Sequence, residues 1–200
     1  MAQAARVDRP EAVAALPADL PRWRFTVEQF QRMGEVGILD EDDRVELIDG
    51  EIIAMSPIGL RHRQIVNNLT RLLVLQAAGR YTVSVQNSFV LSEYGEPQPD
   101  IVLDRIDAPR DRIPTPIDIY LVVEVSDTTL AYDLNVKLPR YARAGVAEVW
   151  VVDVGHYTVE RFTEPKEDGT YAGRARFSRD DEVESIMLPG LRLTVEEVLS

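Results

Sequence analysis

Glu124 sits in the run Ile119-Tyr120-Leu121-Val122-Val123-Glu124-Val125, a carboxylate among residues that otherwise seek the interior. Ionised in such a strand, it is costly to desolvate unless a cation or hydrogen-bond donors meet it. Two more carboxylates occupy strand-like positions upstream. Asp100 follows Pro99 and opens Ile101-Val102-Leu103, and Glu46 lies within Val45-Glu46-Leu47-Ile48. If those strands pair side by side the three acids converge, and converging oxygen ligands suit a hard divalent ion such as magnesium or manganese. Lys137 lies thirteen residues beyond Glu124, on the segment predicted to form the next helix. It stands out because the chain holds 20 arginines and only two lysines, Lys137 and Lys166. Three carboxylates, one divalent ion and one ammonium sum to zero charge. Such a site could polarise a phosphodiester and stabilise the extra negative charge of its transition state.

Composition bounds the alternatives. The 200 residues carry 34 acidic and 22 basic side chains, a formal charge of −12, with 45% hydrophobic residues. The length suffices for a real core, and the expected organisation is a loosely packed arm over residues 1–20 followed by one domain over 21–200. The absence of cysteine excludes disulfide scaffolds, thiol nucleophiles and thiolate zinc sites. It fits a reducing compartment, so a cytoplasmic location is the expectation. No run approaches the ~20 apolar residues of a membrane span, and no membrane partner is expected. The sequence contains no G-x-S-x-G, phosphate-loop, G-x-G-x-x-G or H-E-x-x-H pattern.

The elements that must position these residues follow from pattern. Thr26 and Gln29 form a capping-box pair before apolar positions 27, 30 and 33, which predicts a short helix. Residues 44–48 and 51–55 flank Asp49-Gly50, the dipeptide favoured where both hairpin-turn positions need positive φ. Apolar residues 65, 69, 72, 73 and 77 recur at helical spacing, predicting a long helix to about residue 78. Strands are expected over 81–91, 101–103, 119–125, 148–154, 159–162 and 183–187. A helix is expected over 130–144, with Pro139 near its start or at a kink, and another over 193–199. This order describes a mixed sheet flanked by helices.

The hairpin RVELIDGEIIAMSP, the downstream His62, QPDIVL, and LVVEVSDTTLAYDLNVKLPRYARAGVAEVWVVD together resemble the bacterial Uma-two family, assigned to the PD-(D/E)XK restriction-endonuclease-like superfamily. The resemblance spans about residues 21–199. It implies an α/β fold, a restriction-endonuclease-like mixed β-sheet flanked by α-helices with an N-terminal β-hairpin. By resemblance, Asp100 is the motif aspartate and Glu124 the second acidic ligand, both metal-binding. Glu46 is then the upstream acid and Lys137 the motif lysine. In the basic superfamily pattern the lysine stands two positions after the second acid, where this chain has Ser126. Lys137 instead matches a variant whose lysine has moved to the next helix. Many relatives carry Ser-Pro-Ser after the acidic strand, whereas this chain has Ser126-Asp127-Thr128.

These features imply a magnesium- or manganese-dependent endonuclease that cleaves DNA through a metal-activated water, with the Val125 carbonyl as a further ligand. The rival is a noncatalytic nucleic-acid-binding or regulatory protein that keeps the fold. Glu124 could instead pair with an arginine, Asp100 shape a turn, Glu46 face solvent, and Lys137 pair with Asp133 on a helix surface. His62 and Arg63 are candidate phosphate contacts. Tyr132, Asp133 and Tyr141 are candidates to support the site. Arg61, Arg63, Arg71, Arg80, Arg105, Arg110 and Arg112 could form a local basic groove, and a homodimer would add symmetry-related contacts. The net acidity predicts weak, salt-sensitive binding.

Overall fold

A computed structural model describes residues 20–40 and 42–200. The arm expected over 1–20 therefore lies, except for Leu20, outside the described residues. The chain enters through α1 (Val27–Glu35), whose N-cap Thr26 and Gln29 form the reciprocal capping box. The hairpin β1 (Val45–Ile48) and β2 (Glu51–Ala54) follows, turning on Asp49 at φ 51° and Gly50 at φ 81°. A two-residue turn of that geometry matches the twist of the flanking strands. A side chain at Gly50 would also collide with the Arg24 backbone and Cβ.

The centre is a six-stranded sheet in sequential order: β3 (Tyr81–Val85), β4 (Ile101–Arg105), β5 (Ile119–Ser126), β6 (Glu148–Asp153), β7 (Thr158–Pro165) and β8 (Tyr171–Phe177). Neighbours are antiparallel except β5 and β6, which run parallel. A parallel pair needs a crossover, and here it carries the second helical layer. One face of the sheet packs on α2 (Leu60–Ala77) through Ile65, Leu69 and Leu73, and on α5 (Val195–Leu199) through Val195 and Val198. Leu69 and Leu73 are fully buried, worth on the order of 2 kcal/mol each in apolar transfer. The other face packs Val102, Val122, Val149 and Val151 against Leu138 and Tyr141 of the crossover. β5 is thus covered on both sides, as its near-continuous apolar run requires.

Three expectations need correction. The strand expected over 81–91 stops at Val85, because Gln86 adopts φ 52° and the chain leaves the sheet. β8 has no counterpart in the expected elements. The helix expected over 130–144 is not regular: α3 (Leu130–Tyr132) passes into a π-helical turn, Asp133–Lys137, before α4 (Leu138–Arg143). Pro139 explains the interruption, since it lacks an N–H and its ring crowds the preceding carbonyl ladder. Pro139 offers no N–H to the Asn135 carbonyl, and the neighbouring Val136 carbonyl accepts from the Arg140 guanidinium. A small hairpin, β9 (Glu182–Glu184) with β10 (Arg192–Thr194), completes the fold.

Candidate active site

Ile101 lies opposite Val123, so one further step along each strand sets Asp100 beside Glu124. Strand alternation sends both side chains to the face of Val102 and Val122, toward the crossover. Asp100 Oδ2 accepts the Val125 N–H at 2.8 Å and lies 3.0 Å from His62 Nε2. Glu124, 3% exposed, receives the Tyr141 hydroxyl at 2.6 Å and the Lys137 ammonium at 3.1 Å, both on Oε1.

Glu46 joins them from the hairpin. β1 is tied to the body by reciprocal backbone bonds between Leu47 and Glu96, which turns Glu46 inward to 2% exposure. Its Oε2 lies 3.2 Å from Lys137 Nζ and accepts the Gln98 N–H at 3.1 Å, while Oε1 accepts the Tyr132 hydroxyl at 2.9 Å. Lys137 is therefore a buried ammonium bridging two carboxylates, not a surface partner of Asp133. Asp133 is itself buried and capped by Ser126 and Thr129, each donating at 2.7 Å. The π-helical turn spans Asp133 to Lys137 and delivers both side chains to this cluster.

Burial pushes the Glu124 carboxyl up to about 8 against the pull of Lys137. Burial alone would lower Lys137, but Glu124 and Glu46 outweigh it and keep the ammonium charged above its usual range. A proton on Glu124 would remove one of those two influences; Glu46, in direct contact, holds the charge on Lys137 in either state. Burial and then the adjacent carboxylates raise the phenols of Tyr141 and Tyr132, so both remain O–H donors. For His62, burial is outweighed by Asp100, and its pKa is raised.

Glu46, His62, Asp100, Glu124, Tyr132 and Lys137 line a cavity of about 480 Å³ that is flanked by Ile53 to Gly59 and by Asp127, Thr128, Thr129, Ala131 and Asp133. Among the described residues, no three histidine or carboxylate side chains are gathered closely enough to hold an ion as a protein-only cage. The donor set nevertheless fits a hard cation. Asp100 Oδ1 and Glu124 Oε2 make no hydrogen bond among the described residues, yet neither is a sealed, unpartnered atom. Both residues border the cavity, leaving two open carboxylate oxygens. Magnesium is ordinarily held by one or two carboxylates, with water and substrate phosphate completing its shell.

Glu46, Asp100, Glu124, Lys137 and His62 thus meet at one cavity, and Tyr132, Asp133 and Tyr141 support it. Arg63 is exposed on the first turn of α2. Arg61 donates to the Val154 carbonyl, Arg80 to Pro189, and Arg71 to Asn68, while Arg105 pairs with Asp107 and Arg112 with Asp118. Sequence reasoning missed Arg44, the Gln98 amide and the wall from Met55 to Gly59. The Ser-Pro pair closing the hairpin motif was the available signal for that wall.

The sequence model of a family described as "Putative restriction endonuclease", Uma2, matches residues 27–196. The chain belongs to the Uma2 family. The fold comparison agrees: the crystal structure of "a putative nuclease belonging to DUF820" from Anabaena variabilis superposes on this Uma2 chain with a TM-score of 0.64. The two are 15% identical, and the match covers 88% of this chain and 97% of the other. No curated protein matches the chain. Among the described residues, no helix of this Uma2 protein is long and apolar enough to cross a membrane.

Proposed function

We propose that the protein is a magnesium- or manganese-dependent endonuclease that hydrolyses phosphodiester bonds in DNA. The observation that carries this reading is the pair of open oxygens, Asp100 Oδ1 immediately before β4 and Glu124 Oε2 on the adjacent β5, bordering a cavity that also holds a charged lysine. Asp100 and Glu124 would hold the ion, which supplies Lewis acidity toward a phosphoryl oxygen and toward water. Lys137 keeps a positive charge at Nζ, fixed from two sides, where a phosphate entering the cavity gains negative charge in its transition state. Glu46, held by Tyr132 and the Gln98 amide, sets the position of that ammonium and offers a carboxylate to a water in the cavity. Tyr141 occupies Glu124 Oε1 and directs the other oxygen outward.

The test is cleavage of double- and single-stranded DNA, and of RNA, by wild type, Asp100→Ala and Lys137→Ala with magnesium or manganese. The reading predicts metal-dependent DNA cleavage by wild type and its loss in both variants. Equal cleavage by all three proteins overturns it. DNA binding without cleavage in any of them favours the noncatalytic protein instead.

A further inference from the structure

We infer that His62 is a positioning residue that fixes which oxygen of Asp100 is presented to the cation, an inference that rests on the proposed function. Asp100 Oδ2 carries two bonds from opposite sources, the Val125 backbone N–H at 2.8 Å and His62 Nε2 at 3.0 Å. Two bonds to one oxygen leave Oδ1 with no hydrogen-bond partner among the described residues, bordering the cavity with Glu124 Oε2. A carboxylate held by Val125 alone could rotate about its own axis and offer either oxygen. With a second donor on the same atom, rotation costs a bond.

The imidazole is built for that single contact. His62 sits on the first turn of α2, with its side chain 16% exposed. Its other nitrogen, Nδ1, is enclosed and has no hydrogen-bond partner among the described residues. With no acceptor at Nδ1, the neutral ring places its proton on Nε2, where it donates to Asp100. An enclosed Nδ1 also cannot reach phosphate directly, so a ring serving mainly as an anion contact would be spent on the wrong side. The helix supplies the rigidity: Ile65, Val66 and Leu69, which follow His62 on α2, are buried in the core. Supporting bonds to metal ligands are commonly worth 10–100-fold in affinity.

Direct manganese titration of the purified protein, without nucleic acid, tests this. Wild type, His62→Ala, His62→Gln and Asp100→Asn are compared, with thermal melts in chelator to follow the fold. A glutamine amide reaches about as far as Nε2 and can donate to the same oxygen. The expected result is about 10–100-fold weaker manganese binding in His62→Ala, partial recovery in His62→Gln, and near loss in Asp100→Asn. The chelator melts of the His62 variants should stay close to wild type. Wild-type affinity in His62→Ala, alongside weakened binding in Asp100→Asn, overturns the positioning role alone. Equal weakening in the Ala and Gln variants also overturns it, because a packing role would not be rescued by a donor. Absence of saturable manganese binding in wild type overturns the metal reading and this inference together.

Discussion

Replacing Lys137 by methionine tests the site's electrostatics without any substrate. The ammonium is 5% exposed and touches Glu46 at 3.2 Å and Glu124 at 3.1 Å, whose side chains are 2% and 4% exposed. Removing one member of a buried ion pair costs about 3–5 kcal/mol, because the remaining charge keeps its desolvation penalty. Glu124 moderates the loss: burial already pushes it up to about 8, so it can take a proton where Glu46 retains its tyrosine and amide donors. The lower end, about 3 kcal/mol near neutral pH, is therefore expected. For a chain of this size that corresponds to a fall of about 6–12 °C in melting temperature. The pH trend has a definite sign. Without the ammonium Glu124 holds its proton to still higher pH, so the deficit should shrink as pH falls from about 10 toward 8 and level off below that. Adding Glu46→Gln to Lys137→Met should recover part of the stability. Calorimetric or circular-dichroism melts in chelator read all three effects. A Lys137→Met protein within about 1 kcal/mol of wild type, or a deficit that grows on acidification, would refute the bridging role.

Three other outcomes are expected. Glu148 is fully buried and accepts from Trp150, Ser185 and the amides of Ile186 and Met187; Glu148→Ala should lose at least about 3 kcal/mol, with faster hydrogen exchange at those two amides. Burial would raise Asp118, but bonds from Arg112 and Thr115 outweigh it and hold its carboxyl below the usual range. Its stabilisation is present above about pH 4 and lost as pH falls through the lowered value, so Asp118→Asn should flatten the acid limb of the stability profile. With Arg44 the one arginine lining the cavity among the described residues and Arg63 exposed on the first turn of α2, DNA binding measured by anisotropy should weaken only about tenfold between roughly 50 and 200 mM salt.

What could be read from sequence was whatever local chemistry fixes. Asp49-Gly50 specifies its turn because both positions require positive φ, and the run around Glu124 specifies a strand covered on both faces. β8 escaped because Tyr171–Phe177 is an edge strand whose burial alternates only between partial and exposed, with arginine and glycine where a core strand would carry β-branched residues. The π-helical turn escaped because helical periodicity cannot register one extra residue, although Pro139 marked the place. At the site, residue type and order pointed to Asp100, Glu124 and Lys137. Whether Glu46 faced water or the lysine was undetermined by its own strand, since it depends on the long-range pairing of Leu47 with Glu96. The inward turn of His62 likewise depends on how α2 docks, not on its neighbours in sequence.

The most direct measurement is anomalous diffraction from crystals soaked in manganese. The account predicts a single strong peak within about 2.5 Å of both Asp100 Oδ1 and Glu124 Oε2, with Lys137 still seated between Glu124 and Glu46. A saturating soak that leaves this position without a peak, or places manganese only at remote surface carboxylates, would contradict it.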